Sequence, residues 1–511
     1  MLSKILSYAL YGLNGYKIDI EVDINAGIPS CDIVGLPDAG VKESRERVRS
    51  AIKNSGFEYP LKKIVVNLAP ADRKKEGPLF DLAIAIGILA ASGQLKSYEY
   101  KKFAILGELS LDGSIRHISG LLPILIAGLQ DNVTKFIVPE ENAAEASYIE
   151  GIEVYTANNL KQAVRIILGD GEFKPLAHRK YECINYEKAL ADFDFSEVKG
   201  QQVAKRALEI AVSGGHNILM IGPPGAGKTM LARCLPSIMP RMTFEEAIEV
   251  TKIHSIAGAL DKSEGILSVR PFRSPHHTAT TPSLTGGGSN SRPGEISLAH
   301  NGVLFLDEMP EYSRKTLETL RQPLEDGKIT VARAAQTVEY PARFILIASM
   351  NPCPCGNYGS KKQECKCTSS QIHNYISRLS GPLLDRIDLH IEADSVTFNE
   401  LRAQSAEENS ATVRKRVERA REIQYQRFND TPIYCNAQMS PSMIKKYCQI
   451  DIESEKLLEN AFHKLSLSAR ATTRILKVAR TIADIEGEKY IGVNHIAEAV
   501  RYRTLDRKYW L

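Results

Sequence analysis

The stretch "NILMIGPPGAGKTMLARCL", residues 217–235, decides how the rest of the chain reads. An apolar run ends in a glycine-rich turn, and a helix-forming run follows it. "GPPGAGKT" (222–229) fits G-x-x-x-x-G-K-[ST] in full. Gly225 and Gly227 let backbone N–H groups approach phosphates, and the start of the following helix adds a favourable dipole. Lys228 is placed to reach the β and γ phosphates, and the Thr229 hydroxyl to complete a Mg²⁺ shell. The nucleotide-binding residues expected from this stretch are Gly222, Pro223, Pro224, Gly225, Ala226, Gly227, Lys228, Thr229 and Met230. ATP and Mg²⁺ are the cofactors that they imply.

Further along, "GVLFLDEMPE" (302–311) is an apolar strand ending in Asp307 and Glu308. Strand ends of an open α/β sheet face the ligand crevice, so Asp307 is the second expected Mg²⁺ ligand. Glu308 is the residue expected to orient or deprotonate the attacking water. "FILIASMN" (344–351) places Asn351 at another strand end, as a polar sensor of the γ-phosphate. "SRLSGPLLDR" (377–386) offers Arg378 and Arg386; an arginine acting in trans would stabilise transition-state charge. "LSARATTRILKVARTIADIEG" (467–487) carries Arg470 and Arg474 on one helical face, and either is placed to reach the γ-phosphate from a lid.

The rest of the chain organises around this block. Its 511 residues exceed one core and predict two to four units. Residues 1–168 alternate strand-like runs ("KIVVNLAP", "KFIVPE") with a buried helix, "GPLFDLAIAIGILAASG". A polar, aperiodic segment, 169–190, reads as a linker. Residues 191–395 alternate strands and helices as a parallel sheet does, and 396–511 has helical periodicity almost throughout. Charged residues are 25% and net charge is +4, with 20 Lys and Arg against 14 Asp and Glu beyond residue 400. A polyanion would therefore be engaged by particular faces rather than by the whole surface. No apolar run is long enough for a signal peptide or a membrane span, which makes the cytoplasm the expected location.

Taken together these motifs resemble an AAA+ ATPase, with Walker A at 222–229, Walker B at 304–308, sensor 1 at Asn351, arginine finger at Arg386 and sensor 2 at Arg470 or Arg474. The intervening "RPFRSPHHTATTPSLTGGGSNSRPGEISLAHNG" narrows the resemblance to the magnesium-chelatase-like clade, and within it to the ComM/YifB family, over essentially the whole chain. That resemblance implies an α/β ATPase core with a C-terminal helical lid, assembled as a homo-oligomeric, hexameric ring with DNA through it. ComM-type members are similar to helicases that drive branch migration in natural transformation, which also implies recombination proteins as partners. "EDGKITVARAAQTVEYPARF" (325–344) reads as a hairpin with basic tips, making Lys328 and Arg333 the expected DNA contacts. The loop 270–294, with His276 and His277, is a second pore-loop candidate. The N-terminal block resembles the proteolytic domain of Lon, an α+β fold of the ribosomal S5 domain 2 type. Leu79 and Leu122 stand where that protease needs Ser and Lys, so the scaffold is expected without the chemistry. Two other readings remain open on these residues: a chelatase-type ATPase subunit, and a protein unfoldase.

"NPCPCGNYGSKKQECKC" (351–367) holds four of the nine cysteines as two C-x-C pairs, Cys353, Cys355, Cys365 and Cys367. Four thiolates at the two ends of one loop suit tetrahedral Zn²⁺. A redox pair would more usually be C-x-x-C, and unligated thiols are the remaining alternative.

Overall fold

The computed structural model describes residues 2–181, 193–261, 265–288, 292–332, 337–359, 363–394, 407–431, 433–465, 467–505 and 509. The chain divides into two compact units. The first is Met1–Glu182 with Phe244–Leu267, and the second Cys183–Thr243 with Ser268–Leu511. The contiguous block expected over 191–395 is therefore interrupted, because residues 244–267 pack into the first unit. The separate helical domain expected from 396 instead belongs to the same compact unit as the parallel sheet.

The first unit is built on a seven-stranded sheet: β1 (Leu2–Tyr11), β2 (Asn14–Asn25), β3 (Ser30–Val34), β4 (Lys63–Ala69), β5 (Phe103–Ile105), β6 (Lys135–Pro139) and β7 (Glu153–Ala157). The spatial order is β3-β4-β2-β1-β5-β6-β7. Alternation in β2 sends Ile18, Ile20, Val22 and Ile24 to the core and the intervening charges outward. The helix Asp81–Ala91 is buried along its whole length, as its uninterrupted apolar run predicts. It lies so close to β2 that a Cβ on Gly87 would meet Val22 Cγ2 at 2.6 Å. Its one charge, Asp81, accepts from Arg47 Nε (2.7 Å) and Nη2 (3.2 Å). The described part of the expected linker is not free-running: Leu176 N donates to Val154 O (2.8 Å) along the edge of β7, and Arg179 N donates to Ser147 O.

The interposed helix Phe244–Ala257 is fixed in this unit through a buried carboxylate. Glu145 accepts from Ser255 Oγ (2.6 Å), Leu122 N (3.0 Å) and Asn142 Nδ2 (3.2 Å), and Ser255 Oγ accepts from Gly120 N (2.9 Å). Burial raises the Glu145 carboxyl above its ordinary range, against these three donors.

The second unit carries an all-parallel sheet of β8 (Ile218–Ile221), β9 (Phe272–Arg273), β10 (Val303–Leu306), β13 (Ile345–Met350) and β14 (Leu389–Glu392), in the order β9-β10-β13-β8-β14. A separate hairpin pairs β11 (Lys328–Ala332) with β12 (Thr337–Pro341). Central strands are apolar on both faces, as layers on either side require. The helices Ser410–Phe428, Pro441–Tyr447, Ile452–Lys464, Ala469–Glu486 and Val493–Arg501 form the helical block. They share one core with the helix Gln202–Gly214 and the sheet. Within 270–294, the second pore-loop candidate, Leu284 in the helix Thr281–Thr285 is fully buried. No helix among the described residues is long and apolar enough to cross a membrane.

Removing the Ser255 hydroxyl leaves a buried carboxylate one donor short. Ser255→Ala is expected to destabilise the first unit by about 1–3 kcal/mol in denaturant unfolding, with the slope of the transition unchanged.

Candidate nucleotide site and cysteine cluster

The first strand in sequence, β8, lies between the last two, β13 and β14. The chain thus leaves β8 in one direction and ends on its other side, and ligands of open α/β sheets bind where the strand order reverses in this way. Register then decides which side chains meet. Ile221 lies beside Met350, and Leu306 beside Ala348. The residues that follow, Gly222, Asn351 and Asp307, are brought to one end of the sheet.

Gly225 and Gly227 have φ of 77° and 82°, and no atom lies within 4 Å of where their Cβ would be. Conformation, rather than crowding, requires glycine here, and the open space is where phosphate oxygens fit. Lys228 is buried, and its Nζ donates to Gly222 O (2.6 Å), Pro223 O (3.0 Å) and Asn351 Oδ1 (3.1 Å). Burial lowers the ammonium from its ordinary range, against the opposing pull of Asp307 and Glu308. Thr229 Oγ1 donates to Asp307 Oδ2 at 3.0 Å, so the two expected Mg²⁺ ligands already face each other. Ser349 was missed in the sequence. Its fully buried hydroxyl donates to Asp307 Oδ1 and accepts from Glu308 N (3.2 Å). The available signal was a lone polar residue in an apolar strand, two before Asn351 and hence on its face. Glu308 is exposed and left-handed, with φ of 51°. A non-glycine residue in that region is strained and is held there by its surroundings, here by the two bonds its amide donates to Ser349 Oγ and Asp307 Oδ1. The donor set fits a Mg²⁺–nucleotide: an ammonium and loop amides for phosphate, a hydroxyl and a carboxylate for the metal.

The arginines are placed differently from one another. Arg386 is 5% exposed; its Nη1 donates to Pro382 O (2.6 Å) and its Nη2 meets Glu325 Oε2 at 2.5 Å. Arg378 is half-exposed on Glu311 (2.8 Å). Arg474 is paired with Asp388, and also donates to Arg386 O (3.3 Å). Burial would raise the Asp388 carboxyl, but Arg474 and His216 overcome it and the net shift is strongly downward. Arg470 is exposed and lies near Glu325, whose carboxyl is held low by Arg386 first and by Arg470 after it.

The hairpin differs from expectation. Lys328 stands opposite Pro341 at the base, not at the tip, and pairs with Glu339 (2.9 Å), which neutralises it. Arg333 lies outside the described residues. His276 and His277 pack ring to ring with centroids 4.1 Å apart, and His276 Nδ1 bonds Thr278 Oγ1 (2.8 Å). Neither belongs to a group of potential metal ligands among the described residues.

Such a group is formed by Cys353, Cys355, Cys365 and Cys367, whose Sγ atoms all lie within 4.8 Å of one another. Three pairs are 3.4, 3.7 and 3.7 Å apart. A disulfide needs about 2.05 Å. A tetrahedron with Zn–S of about 2.3 Å has edges of about 3.8 Å, so the geometry fits a tetrathiolate site. Tyr358 N donates to Cys353 Sγ at 3.3 Å, the second-layer support such ligands require. Backbone amides of Asn357 and Lys366 hold the Cys355 thiol down to about 6, while desolvation, ahead of its thiol neighbours, pushes Cys367 up to about 12. Neighbouring thiols thus favour ionisation of Cys355 and oppose that of Cys365 and Cys367, and a divalent cation would favour the thiolate at all of them.

Because Ser349 orients Asp307, Ser349→Ala is expected to raise the Mg²⁺ concentration for half-maximal nucleotide hydrolysis by about tenfold or more, read from a Mg²⁺ titration at fixed nucleotide.

Three family profiles match the chain: magnesium chelatase subunit ChlI over residues 194–401, a ChlI-subunit profile over 20–142, and the ChlI C-terminal region over 407–503. Competence protein ComM of Haemophilus influenzae is 45% identical over 509 residues, covering 99% of this chain and 98% of that protein. The uncharacterized protein YifB of Escherichia coli (strain K12) is 45% identical over 507 residues, with the same coverage. The magnesium-chelatase subunit ChlI of Guillardia theta is 26% identical over 243 residues, 43% of this chain and 62% of that one. With nearly half its residues shared along nearly its whole length, and the nucleotide-site geometry in place, the chain belongs to the ComM/YifB family of magnesium-chelatase-like AAA+ proteins.

Proposed function

We propose that this chain is an ATP-driven ring motor that acts on DNA in the cytoplasm, as a branch-migration helicase or translocase serving recombination during natural transformation. The observation that carries the ATPase part is the convergence of Lys228, Thr229, Asp307 and Asn351 on one strand-end crevice. The competence relative supports the DNA part.

In this reading Lys228 exchanges its carbonyl acceptors for β and γ phosphate oxygens, with the loop amides of 222–229 around them. Bound Mg²⁺ would be held by Thr229 and Asp307 and would neutralise phosphate charge. Glu308 orients the attacking water and takes its proton, and Asn351 reports the γ-phosphate. Arg386 acts in trans on the neighbouring subunit's γ-phosphate, exchanging Glu325 for the more highly charged partner. Of the two sensor candidates, Arg470 has the exposed guanidinium, whereas Arg474 is committed to Asp388. The DNA contacts in this reading are Lys328, which would exchange its exposed Glu339 partner for phosphate, and Arg333, which lies outside the described residues. The first unit serves as a Lon-like scaffold for assembly or partner contact. Leu122 is buried and Leu79 partly so, and neither is a nucleophile or a base. The cysteine cluster holds structural Zn²⁺. A chelatase-type role is the second reading, favoured by the ChlI profiles and opposed by the full-length match to ComM and YifB rather than to ChlI. Unfoldase action is the third outcome that the tests distinguish.

Branched or single-stranded DNA is expected to stimulate ATP hydrolysis by the purified protein. Stimulation by an unfolded polypeptide instead would establish an unfoldase, and by a porphyrin-binding partner a chelatase. Glu308→Gln should retain nucleotide binding and assembly while turnover falls by at least about a hundredfold, measured as phosphate release. Arg386→Ala should abolish hydrolysis by homogeneous rings. Mixing it with Lys228→Ala subunits should restore part of the rate, and absence of rescue would remove the trans assignment.

A further inference from the structure

The cysteine cluster and the nucleotide loop touch. Gly356, between the two ligands of the first C-x-C pair and the rest of the loop, has φ of 80°, and a Cβ there would lie 2.5 Å from Pro224 Cδ and 2.9 Å from Pro224 Cγ. Pro224 is the third residue of "GPPGAGKT". The turn is closed by Gly356 N donating to Cys353 O at 2.9 Å, so the knuckle that presents Gly356 to Pro224 is also the one that positions Cys353 and Cys355. Two residues before Cys353, Asn351 accepts from Lys228. Within three residues on either side of the cluster's buried thiol, then, the chain meets the nucleotide loop at both its start and its lysine.

A second fastening lies on the other flank of β8. The Tyr358 ring packs against Tyr509 (centroids 6.5 Å apart), and Tyr509 OH donates to Glu392 Oε1 at 3.1 Å. Glu392 closes β14 in register with Ile221, the last residue before the loop. At Gly222 a Cβ would meet Ala393 O at 2.2 Å, so the loop's first residue is pressed from this side too. The described residues of 353–367 contain neither helix nor strand. Such a segment lacks the repeated backbone pairing of a helix or strand, and cross-linking its ends removes conformational freedom that the free loop would otherwise regain.

We propose that metal bound by Cys353, Cys355, Cys365 and Cys367 sets the affinity of the neighbouring site for nucleotide, by holding Gly356 against Pro224 and Asn351 against Lys228. This rests on the zinc assignment above and extends it from folding to control of ligand binding. If loss of the metal lets the held geometry fall to about a tenth of the population, apparent nucleotide affinity falls about tenfold. Coupling between two binding equilibria is reciprocal, so saturating nucleotide raises the affinity for zinc by the same factor.

The test uses the full-length protein, a fluorescent ATP analogue with excess Mg²⁺, and a chelator selective for zinc. Elemental analysis of the untreated protein should show one zinc per chain. Stripping it should weaken analogue binding about tenfold with the main thermal transition still present, and zinc alone should restore it. Gly356→Ala, which keeps all four ligands, should retain zinc yet bind the analogue more weakly. Cys367→Ser, whose sulfur is remote in sequence from the nucleotide loop, should lose both. In a competition with a zinc indicator, the analogue should raise zinc affinity by the factor seen in the first experiment. A folded, zinc-free protein with undiminished analogue affinity overturns the coupling while leaving a structural zinc site standing. A protein that neither contains nor takes up zinc overturns both. Unchanged affinity in Gly356→Ala overturns the contact through Pro224, whatever Cys367→Ser does to folding.

Discussion

The buried ammonium of Lys228 is the constraint around which the second unit is arranged. Among the described residues two carbonyls and an amide oxygen satisfy it, while Asp307 and Glu308 act from further away. A cation removed from water and held by neutral dipoles is costly unless an anion joins it, and the open space over Gly225 and Gly227 is where that anion fits. Two of its acceptors, Gly222 O and Pro223 O, belong to its own loop, whereas Asn351 and Asp307 arrive on other strands of the parallel sheet. The Asn351 contact depends on β8 and β13 being neighbours, and the Thr229–Asp307 contact depends on β10 lying next to β13. The register of three strands therefore brings to one crevice residues as far apart in sequence as Lys228 and Asn351.

That crevice is tied to the helical block by a second buried charge system. Asp388, just before β14, is held by Arg474 from the helix Ala469–Glu486, and its neighbour Asn217 precedes β8. Asp484 on the same helix accepts from Arg427 and Arg480 and from Asn436 (2.8 Å). Breaking one partner of such a network leaves a buried charge uncompensated, which is why the helices and the sheet behave as one compact unit with a common core. The first unit has the opposite economy of charge. Its core is largely apolar, and of its buried acids Asp81 is answered by an arginine and Glu145 by neutral donors.

Much of the site was legible because its motifs are local. The loop 222–229, the Asp307–Glu308 pair and Asn351 each follow an apolar strand in the sequence, and a strand end has one direction in which to point. The cysteines were legible for the same reason, their spacing bringing two close pairs to one loop. What the sequence does not show is the partner each long side chain takes: Glu339 pairs with Lys328 across the hairpin, and Glu325 lies against Arg386. Arg470 and Arg474 were equivalent by periodicity, and only Asp388 distinguishes them. Ser349 was hidden because a hydroxyl in an apolar strand has no meaning until its neighbour's carboxylate is known.

The sequence by itself determined the family and the residue types gathered at the crevice and in the cysteine cluster, since these depend on residue identity at short spacing. Only the tertiary structure decided which arginines are committed, that Phe244–Leu267 belongs to the first unit, and that Gly356 bears on Pro224. Each of these depends on chain segments that meet across long sequence separations, where burial and strand register, rather than local preference, select the partner.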